Sequence, residues 1–369
     1  MKITSIEPIL VAIPYDHGGP KAADLTGKVR NTLDALYVKV ETDAGITGWG
    51  EAFGFGACAL THAAYERFLN PMAIGRDIGA DASGIEALNA DLLRRSCNAG
   101  RNGPVIYAIS GLDVALWDIR GKVLGKPVHK LLNPASRDTM PVYASLLRLN
   151  TPEAVAKVTR AALDRGYRHI KLHERTVECV AAAREVCGPD IPLMLDTNCQ
   201  WTPDEALAMA KKLAPFDLAW LEEPVNPPDD YASLAWLRRE QDIPIAAGEN
   251  LGNRFDCAHA IEAGALDVMQ PDAIKMGGIT EMWKALEHAY AKGVRVEPHS
   301  PFHGPGWIAG VHIVSAMQQD ALCEFYYADL EAAPCGDMIY PQNGMMPAPQ
   351  GPGLGIDGDE DILARYRIM

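Results

Sequence analysis

Residues 192–224 read PLMLDTNCQWTPDEALAMAKKLAPFDLAWLEEP. The apolar run PLMLDTN (192–198) has the length of a strand, and LAWLEEP (218–224) is a second. Between them TPDEALAMAKKLAPF is amphipathic at helical spacing and opens on a threonine of capping type. Strand, helix and strand in this length make the crossover connection of a parallel pair. Both apolar runs stop at acids, Asp196 and Glu222.

The same rhythm runs outward from this unit. Further strands are read at VYASLL (142–147), HIKLH (169–173), PIAAGEN (244–250), VMQPD (268–272), RVEPH (295–299) and LCEF (322–325). Eight strands with helical crossovers point to a parallel barrel in preference to an open doubly wound sheet. The open sheet would want a glycine-rich phosphate loop, and neither GxGxxG nor GxxxxGKS occurs. Upstream, ITSIEPILVAI and ALYVKVETDAGITGWGEA read as strands with a hairpin turn at DAG. Helical patterns follow in AAYERFLNPMAIG, ASGIEALNADLLRRSC and YAISGLDVALWDIRGKVLG. The reading is α/β: an α+β module over residues 1–135, a barrel over 136–330, and a segment over 331–369 that returns to the amino-terminal module.

With 369 residues, 48% of them hydrophobic, the chain can bury a large core. A formal charge of −14, spread along the chain, speaks against a nucleic-acid partner, so an anionic substrate must be captured by local cations. The start of the chain does not read as a signal peptide and no stretch approaches a membrane span, so a cytoplasmic location without a membrane partner is expected. Eight cysteines without CxxC pairing read as free thiols.

In a parallel barrel the carboxyl ends of the strands deliver polar residues to one mouth. Those ends carry Lys171 and His173, Asp196 and Asn198, Glu222, Glu249, Asp272, His299 and Glu324. One acid alone would be read as salt-bridged to a barrel helix. Asp196, Glu222 and Glu249 end three successive strands, and converging carboxylates repel unless a cation sits among them. A hard divalent ion with oxygen ligands, Mg²⁺, is therefore expected. Glu223 alternates away from Glu222 and is expected behind it. Asn198 and Asn250 either bond ligands and substrate or merely cap strand ends.

Asp272 and His299 end neighbouring strands, so the carboxylate can fix one imidazole nitrogen and leave the other as a general base. A purely structural pair would not explain why both sit at the mouth. HIKLHE (169–174) aims Lys171 and His173 at one face. Lys171 suits a carboxylate oxygen, and His173 can give or take a proton opposite His299, although a lone buried histidine is more often structural. With Glu324 protonated and sharing that proton, the set predicts removal of a proton from the carbon beside a carboxylate, through a stabilised enediolate.

These residues resemble the enolase superfamily and, within it, the mandelate racemase subgroup (mandelate racemase/muconate lactonizing enzyme-like), with the acid-sugar dehydratases nearest in kind. The resemblance is carried by KLH (171–173), DTN (196–198), LEEP (221–224), GEN (248–250), QPD followed by KMGG (270–278), the histidine of EPHSPF and the glutamate of LCEF. SGLDVALWDIRGKVLGKPVHKLL (110–132) and GPGLGID (351–357) extend it over nearly the whole chain. It implies a (β/α)7β TIM-like barrel with an α+β capping domain, Mg²⁺ on Asp196, Glu222 and Glu249, an Asp272–His299 base and a homo-oligomer. It also implies that loops near 15–30 and 50–58 select a small-molecule carboxylate substrate, and here they offer Tyr15, His17, Lys21, Lys28, Arg30, Phe53 and Phe55. PFHGPGW (301–307) adds His303 and Trp307 as substrate contacts, or is a turn built for packing.

Family racemases commonly carry a second lysine where this chain has His173. A partly protonated imidazole is a good acid for expelling a β-hydroxyl, which turns the expectation to dehydration of a sugar acid to a 2-keto-3-deoxy acid. The alternative is an isomerase that racemises, epimerises or cycloisomerises a hydroxylated acid or lactone. A non-catalytic binding protein would have lost a metal ligand or the dyad, and neither is lost.

Overall fold

Strands β1 (Ile3–Asp16), β2 (Thr32–Thr42) and β3 (Thr47–Ala52) form an antiparallel meander, with the β2–β3 turn closed at Gly45. The computed structural model describes residues 1–21, 29 and 31–369. Helices α1 (Cys58–Ala64), α2 (Asn70–Ala73), α3 (Ile85–Arg95), α4 (Pro104–Leu124) and α5 (Val128–Leu132) complete this half. The single helix read over AAYERFLNPMAIG is interrupted by a π-turn at Tyr65–Leu69, just before Pro71, which has no N–H to continue the ladder. On β3, a Cβ at Gly48 would lie 2.2 Å from the Ala115 carbonyl oxygen, and one at Gly50 2.1 Å from that of Gly111. Glycine at both positions lets the backbone of α4 lie directly on the strand.

The barrel strands are β4 (Thr139–Ser145), β5 (Ile170–Leu172), β6 (Leu193–Asp196), β7 (Leu218–Glu222), β8 (Ile245–Ala247), β9 (Val268–Met269), β10 (Arg295–Val296) and β11 (Cys323–Tyr326). Between them run α6 (Pro152–Asp164), α7 (Val177–Cys187), α8 (Pro203–Leu213), α9 (Tyr231–Glu240), α10 (Arg254–Glu262), α11 (Gly278–Ala291) and α12 (Pro305–Ala316). Helix α8 begins with the full reciprocal cap between Thr202 and Glu205. The parallel order is β10-β9-β8-β7-β6-β5-β4-β11, the (β/α)7β arrangement predicted. Side chains bridge the seam between β10 and β11: Leu322 N donates to Glu297 Oε2 at 2.7 Å and Ser300 N to Glu324 Oε2 at 3.2 Å. Tyr143, Met194, Trp220, Ala246 and Val268 fill the barrel interior as an apolar plug.

After β11 the chain turns back as β12 (Asp329–Leu330), which pairs with the end of β1. Residue 331 still lies on the amino-terminal sheet, with Glu331 N donating to Pro14 O at 2.8 Å, and β13 (Met345–Pro347) then pairs antiparallel with Thr139–Pro141 of the barrel. Helix α13 (Glu360–Tyr366) returns to the amino-terminal sheet, where Ile368 N donates to Leu10 O at 2.8 Å. Among the described residues no helix is long and apolar enough to cross a membrane, and all eight cysteines are free.

Two buried carboxylates of the amino-terminal half end on barrel helices. Glu51 accepts from Gly306 N at 2.8 Å in the first turn of α12, and Asp113 from Thr280 N at 3.0 Å in the first turn of α11. Unpaired N–H groups and the positive end of the helix dipole favour an acid there. Because these helices start at the carboxyl ends of the barrel strands, the amino-terminal half is held over that end.

Candidate active site

Period-2 alternation on short strands aims Lys171, Asp196, Glu222 and Glu324 above the apolar plug, while Glu249, Asp272 and His299 lie just beyond the ends of β8, β9 and β10. Carboxylate oxygens of Asp196, Glu222 and Glu249 all lie within 4.8 Å of one another. Trp220 Nε1, from the plug, donates to Glu222 Oε2 at 2.9 Å, and Gln270 Nε2 donates to the same oxygen at 2.8 Å. Asn198 holds Asp196 with its backbone N–H (2.7 Å) and its amide (3.0 Å). Glu223 turns to Asn250 and Cys199, and burial with the charges of Glu249 and Asp196 pushes its carboxyl up to about 8.

Lys171 is fully buried, with Nζ 2.8 Å from Glu222, 2.7 Å from Glu324 and 3.8 Å from Asp196. Burial opposes its charge, but these carboxylates hold its pKa well above the ordinary value. Glu324, expected to carry a proton, is drawn in the other direction here: burial raises its pKa, yet Lys171, His299 and a 2.8 Å hydrogen bond from Ser145 Oγ bring it below the usual range.

His299 places Nδ1 2.6 Å from Asp272 Oδ2 and Nε2 2.7 Å from Glu249 Oε2. Asp272 is itself anchored by Ile274 N at 2.8 Å. On the opposite side, His173 engages both ring nitrogens: Nδ1 lies 2.6 Å from Leu146 O, and Nε2 3.2 Å from Asp196 Oδ2. Burial lowers its pKa, but Asp196 outweighs that and raises it.

The substrate contacts named from sequence divide. Tyr15 lies at the end of β1 with the Lys21 ammonium 4.3 Å above its ring, and His17 is buried beside it with neither nitrogen hydrogen-bonded among the described residues. Phe53 stacks edge-on against Tyr107 and Phe302, while Phe55 is 55% exposed. Lys28 and Arg30 lie outside the described residues. His303 and Trp307 are not brought to the site. The ring of His303 packs on Phe325 with Nε2 2.9 Å from Ala328 O, and Trp307 is wholly buried in α12 with its indole N–H on Ile339 O. The residue of that loop that does face the base is Phe302, 6.0 Å from His299 between ring centres.

Residues 153–362 match the family described as enolase C-terminal domain-like, and residues 22–133 match the mandelate racemase / muconate lactonizing enzyme N-terminal domain. The chain belongs to this family. It is similar to the D-galactarolactone cycloisomerase of Agrobacterium fabrum, 33% identical over all of this chain and 99% of that protein. It is likewise similar to the D-galactonate dehydratase of Ralstonia pickettii, 33% identical over 89% and 90% of the two chains. Among solved structures, a racemase from Streptomyces coelicolor A3(2) with bound magnesium is 30% identical, with a TM-score of 0.86 over 99% of this chain and 100% of that one. The protein is thus an enolase-superfamily enzyme, a lyase or isomerase, whose acidic triad can hold a metal ion.

Within this mandelate racemase-like site, Lys275 escaped the sequence reading although it lies inside the KMGG motif. Its ammonium is 3.2 Å from both Glu249 Oε1 and Asn250 Oδ1 and 4.4 Å above the Phe53 ring. Tyr326 was also missed. It shares a face of β11 with Glu324, and period 2 counted onward from that acid would have found it.

Proposed function

We propose that the enzyme removes the proton α to the carboxylate of a sugar acid and expels the β-oxygen, acting as a dehydratase that forms a 2-keto-3-deoxy acid. The observation that carries this reading is the convergence of Asp196, Glu222 and Glu249 beside the Asp272–His299 pair. Three hard oxygen donors gathered within one site, two of them buried and Glu249 partly so, suit Mg²⁺, and their roles as its ligands are part of the proposal. Bound there, Mg²⁺ would supply positive charge to the substrate carboxylate as the α-proton leaves.

His299 is the base, because Asp272 fixes Nδ1–H, and Nε2, 2.7 Å from Glu249 Oε2, is the nitrogen turned toward the acidic triad and the one that takes the proton. Lys171 lends a second fixed cation to a carboxylate oxygen, and Glu324 with Ser145 keeps that ammonium in place. Nδ1 of His299 is held by a carboxylate, which raises its basicity, whereas Nδ1 of His173 meets only the neutral Leu146 carbonyl, so both proton steps are assigned to His299. The Cα–H bond breaks to His299, a Cα=Cβ bond forms, and the Cβ–O bond breaks as His299 returns the proton to the departing oxygen. Water leaves and the enol tautomerises to the ketone. When the β-oxygen is a ring member the same steps open the ring and nothing is lost, a cycloisomerisation, which the Agrobacterium relative favours as the second reading. Tyr15, Phe53, Asn198 and Asn250 are proposed to contact the substrate.

The test incubates the protein in deuterated buffer, with Mg²⁺ and with chelator, against aldonic acids, aldaric acids and their lactones. A Mg²⁺-dependent keto acid supports dehydration, and ring opening without water loss supports cycloisomerisation. Deuterium entering at Cα without either product would instead make it a racemase.

A further inference from the structure

We infer that Arg148 and Arg175 form a subsite at the mouth for a second anionic group, the distal carboxylate of a diacid substrate. The inference rests on the sugar-acid reading above. Arg148 follows β4 and donates from Nε to His173 O at 2.8 Å and from Nη2 to Asn198 Oδ1 at 3.1 Å. Both acceptors are neutral, and Nη1 has no partner among the described residues. Arg175 stands two residues beyond His173 with no hydrogen bond or ion pair among the described residues, and its Nε is buried without a partner. Arg148 is seated on the carbonyl of His173, two residues before Arg175, and burial and the neighbouring Arg148 charge both lower the pKa of Arg175.

Like charges brought together without a counter-ion are unfavourable, and an anion between them removes the cost. Among the described residues no carboxylate fills that role. Glu174, which separates His173 from Arg175 in sequence, turns instead to Leu149 N (2.6 Å) and Asn150 N (3.1 Å), tethering the loop that presents Arg148. Arg165, Arg238 and Arg367, by contrast, each sit 2.6 to 2.7 Å from a carboxylate oxygen.

Position agrees with chemistry. The amide of Asn198 contacts Arg148 through its oxygen and Asp196 through its nitrogen, so the guanidinium stands one amide away from the acidic triad. An extended six-carbon diacid separates its carboxyl carbons by roughly 6 Å, a span of that order. Tyr326, whose phenol pKa burial raises and the Arg148 charge opposes, offers a hydroxyl for the chain between the two ends.

The experiment compares kcat/KM for an aldonic acid, the aldaric acid of the same configuration and the 6-phosphorylated aldonic acid. The aldaric acid is expected to be preferred by about tenfold or more. Arg175→Met removes charge without removing a hydrogen bond, and is expected to lower kcat/KM for the diacid about 10- to 100-fold through KM while leaving the monoacid within about twofold. Arg148→Met should act in the same direction. Calorimetric binding of the diacid to a His299→Asn background should weaken on adding Arg175→Met, a readout free of turnover. Equal losses on both acids would make the arginines positioning residues and overturn the inference, and a preference for the phosphorylated acid would overturn the carboxylate assignment. Turnover of the monoacid with no response to either substitution sinks the diacid subsite and leaves the sugar-acid reading standing. Failure of every acid to turn over or bind sinks both.

Discussion

At the residue level the site sets two residues apart. His299 is the group proposed to move the proton, and its replacement by asparagine keeps a hydrogen-bond donor near Asp272 but removes the base. His299→Asn is expected to lower kcat by about 10³-fold or more and to abolish deuterium exchange at Cα, with an unchanged circular dichroism spectrum. Retained exchange would move the base elsewhere. Lys171 matters first for stability, because its ammonium is the nearest cation to Glu222 and Glu324 and lies close to Asp196. Lys171→Met leaves those buried charges uncompensated and is expected to cost about 3–5 kcal/mol in urea unfolding, with Lys171→Arg costing less. Equal unfolding midpoints for wild type and Lys171→Met would show that the acids take up protons in its place. Strand-end acids were legible in sequence because a two-residue period and a strand boundary fix where a side chain goes. Arg148 and Arg175 were not, since they sit one or more residues past a strand, where loop conformation decides direction. Of the two readings open for PFHGPGW, packing is the one the contacts favour: His303 lies on Phe325 and Ala328 O, and α12, which holds Trp307, is apolar on every face and buried all round.

At the level of elements, the docking of the amino-terminal half onto helix starts has a titratable signature. Burial, with repulsion from Asp272, pushes the Glu51 carboxyl up to about 7 against the opposing bond from Gly306 N. A raised carboxyl favours the protonated folded form, so its contribution to stability is complete below about pH 4.5 and is lost as pH rises through 7. Glu51→Gln stays neutral throughout and can still accept from Gly306 N. Relative to wild type the variant is therefore expected to gain stability between pH 5 and pH 8, on the order of 3 kcal/mol at the upper limit. Melting temperatures of the two proteins across that range provide the measurement, and a constant difference would mean that Glu51 does not titrate there. Nothing in GWGEA announced this partner, because Gly306 lies 255 residues away and only the fold brings them together. Elements with a strong period were legible, as α8 with its cap and the eight barrel strands show. The π-turn at 65–69 was not, since the apolar spacing of a helix survives one widened turn.

For the whole molecule, the barrel gathers onto one point three acids that the sequence spreads over 54 positions, Asp196 to Glu249. In the unfolded chain they are separate carboxylates with no more than ordinary affinity for a divalent ion. A cation that binds the triad therefore stabilises only the folded state, by RT ln(1 + [L]/Kd), or about 2.7 kcal/mol at a hundredfold excess over Kd. Mg²⁺ is expected to raise Tm by a few degrees over the same ionic strength of KCl, saturating with concentration as a single site would. Substitution of Glu249 by glutamine, which removes a charge but little volume, should flatten that response. A Tm identical in MgCl₂ and in matched KCl would sink the triad as a magnesium site, whatever the activity. A response that survives Glu249→Gln would place the ion elsewhere on a chain that carries 14 more acidic than basic side chains. Melting curves separate these cases before any substrate is known, because they read the coupling of three distant strands through one ion and not the reaction itself.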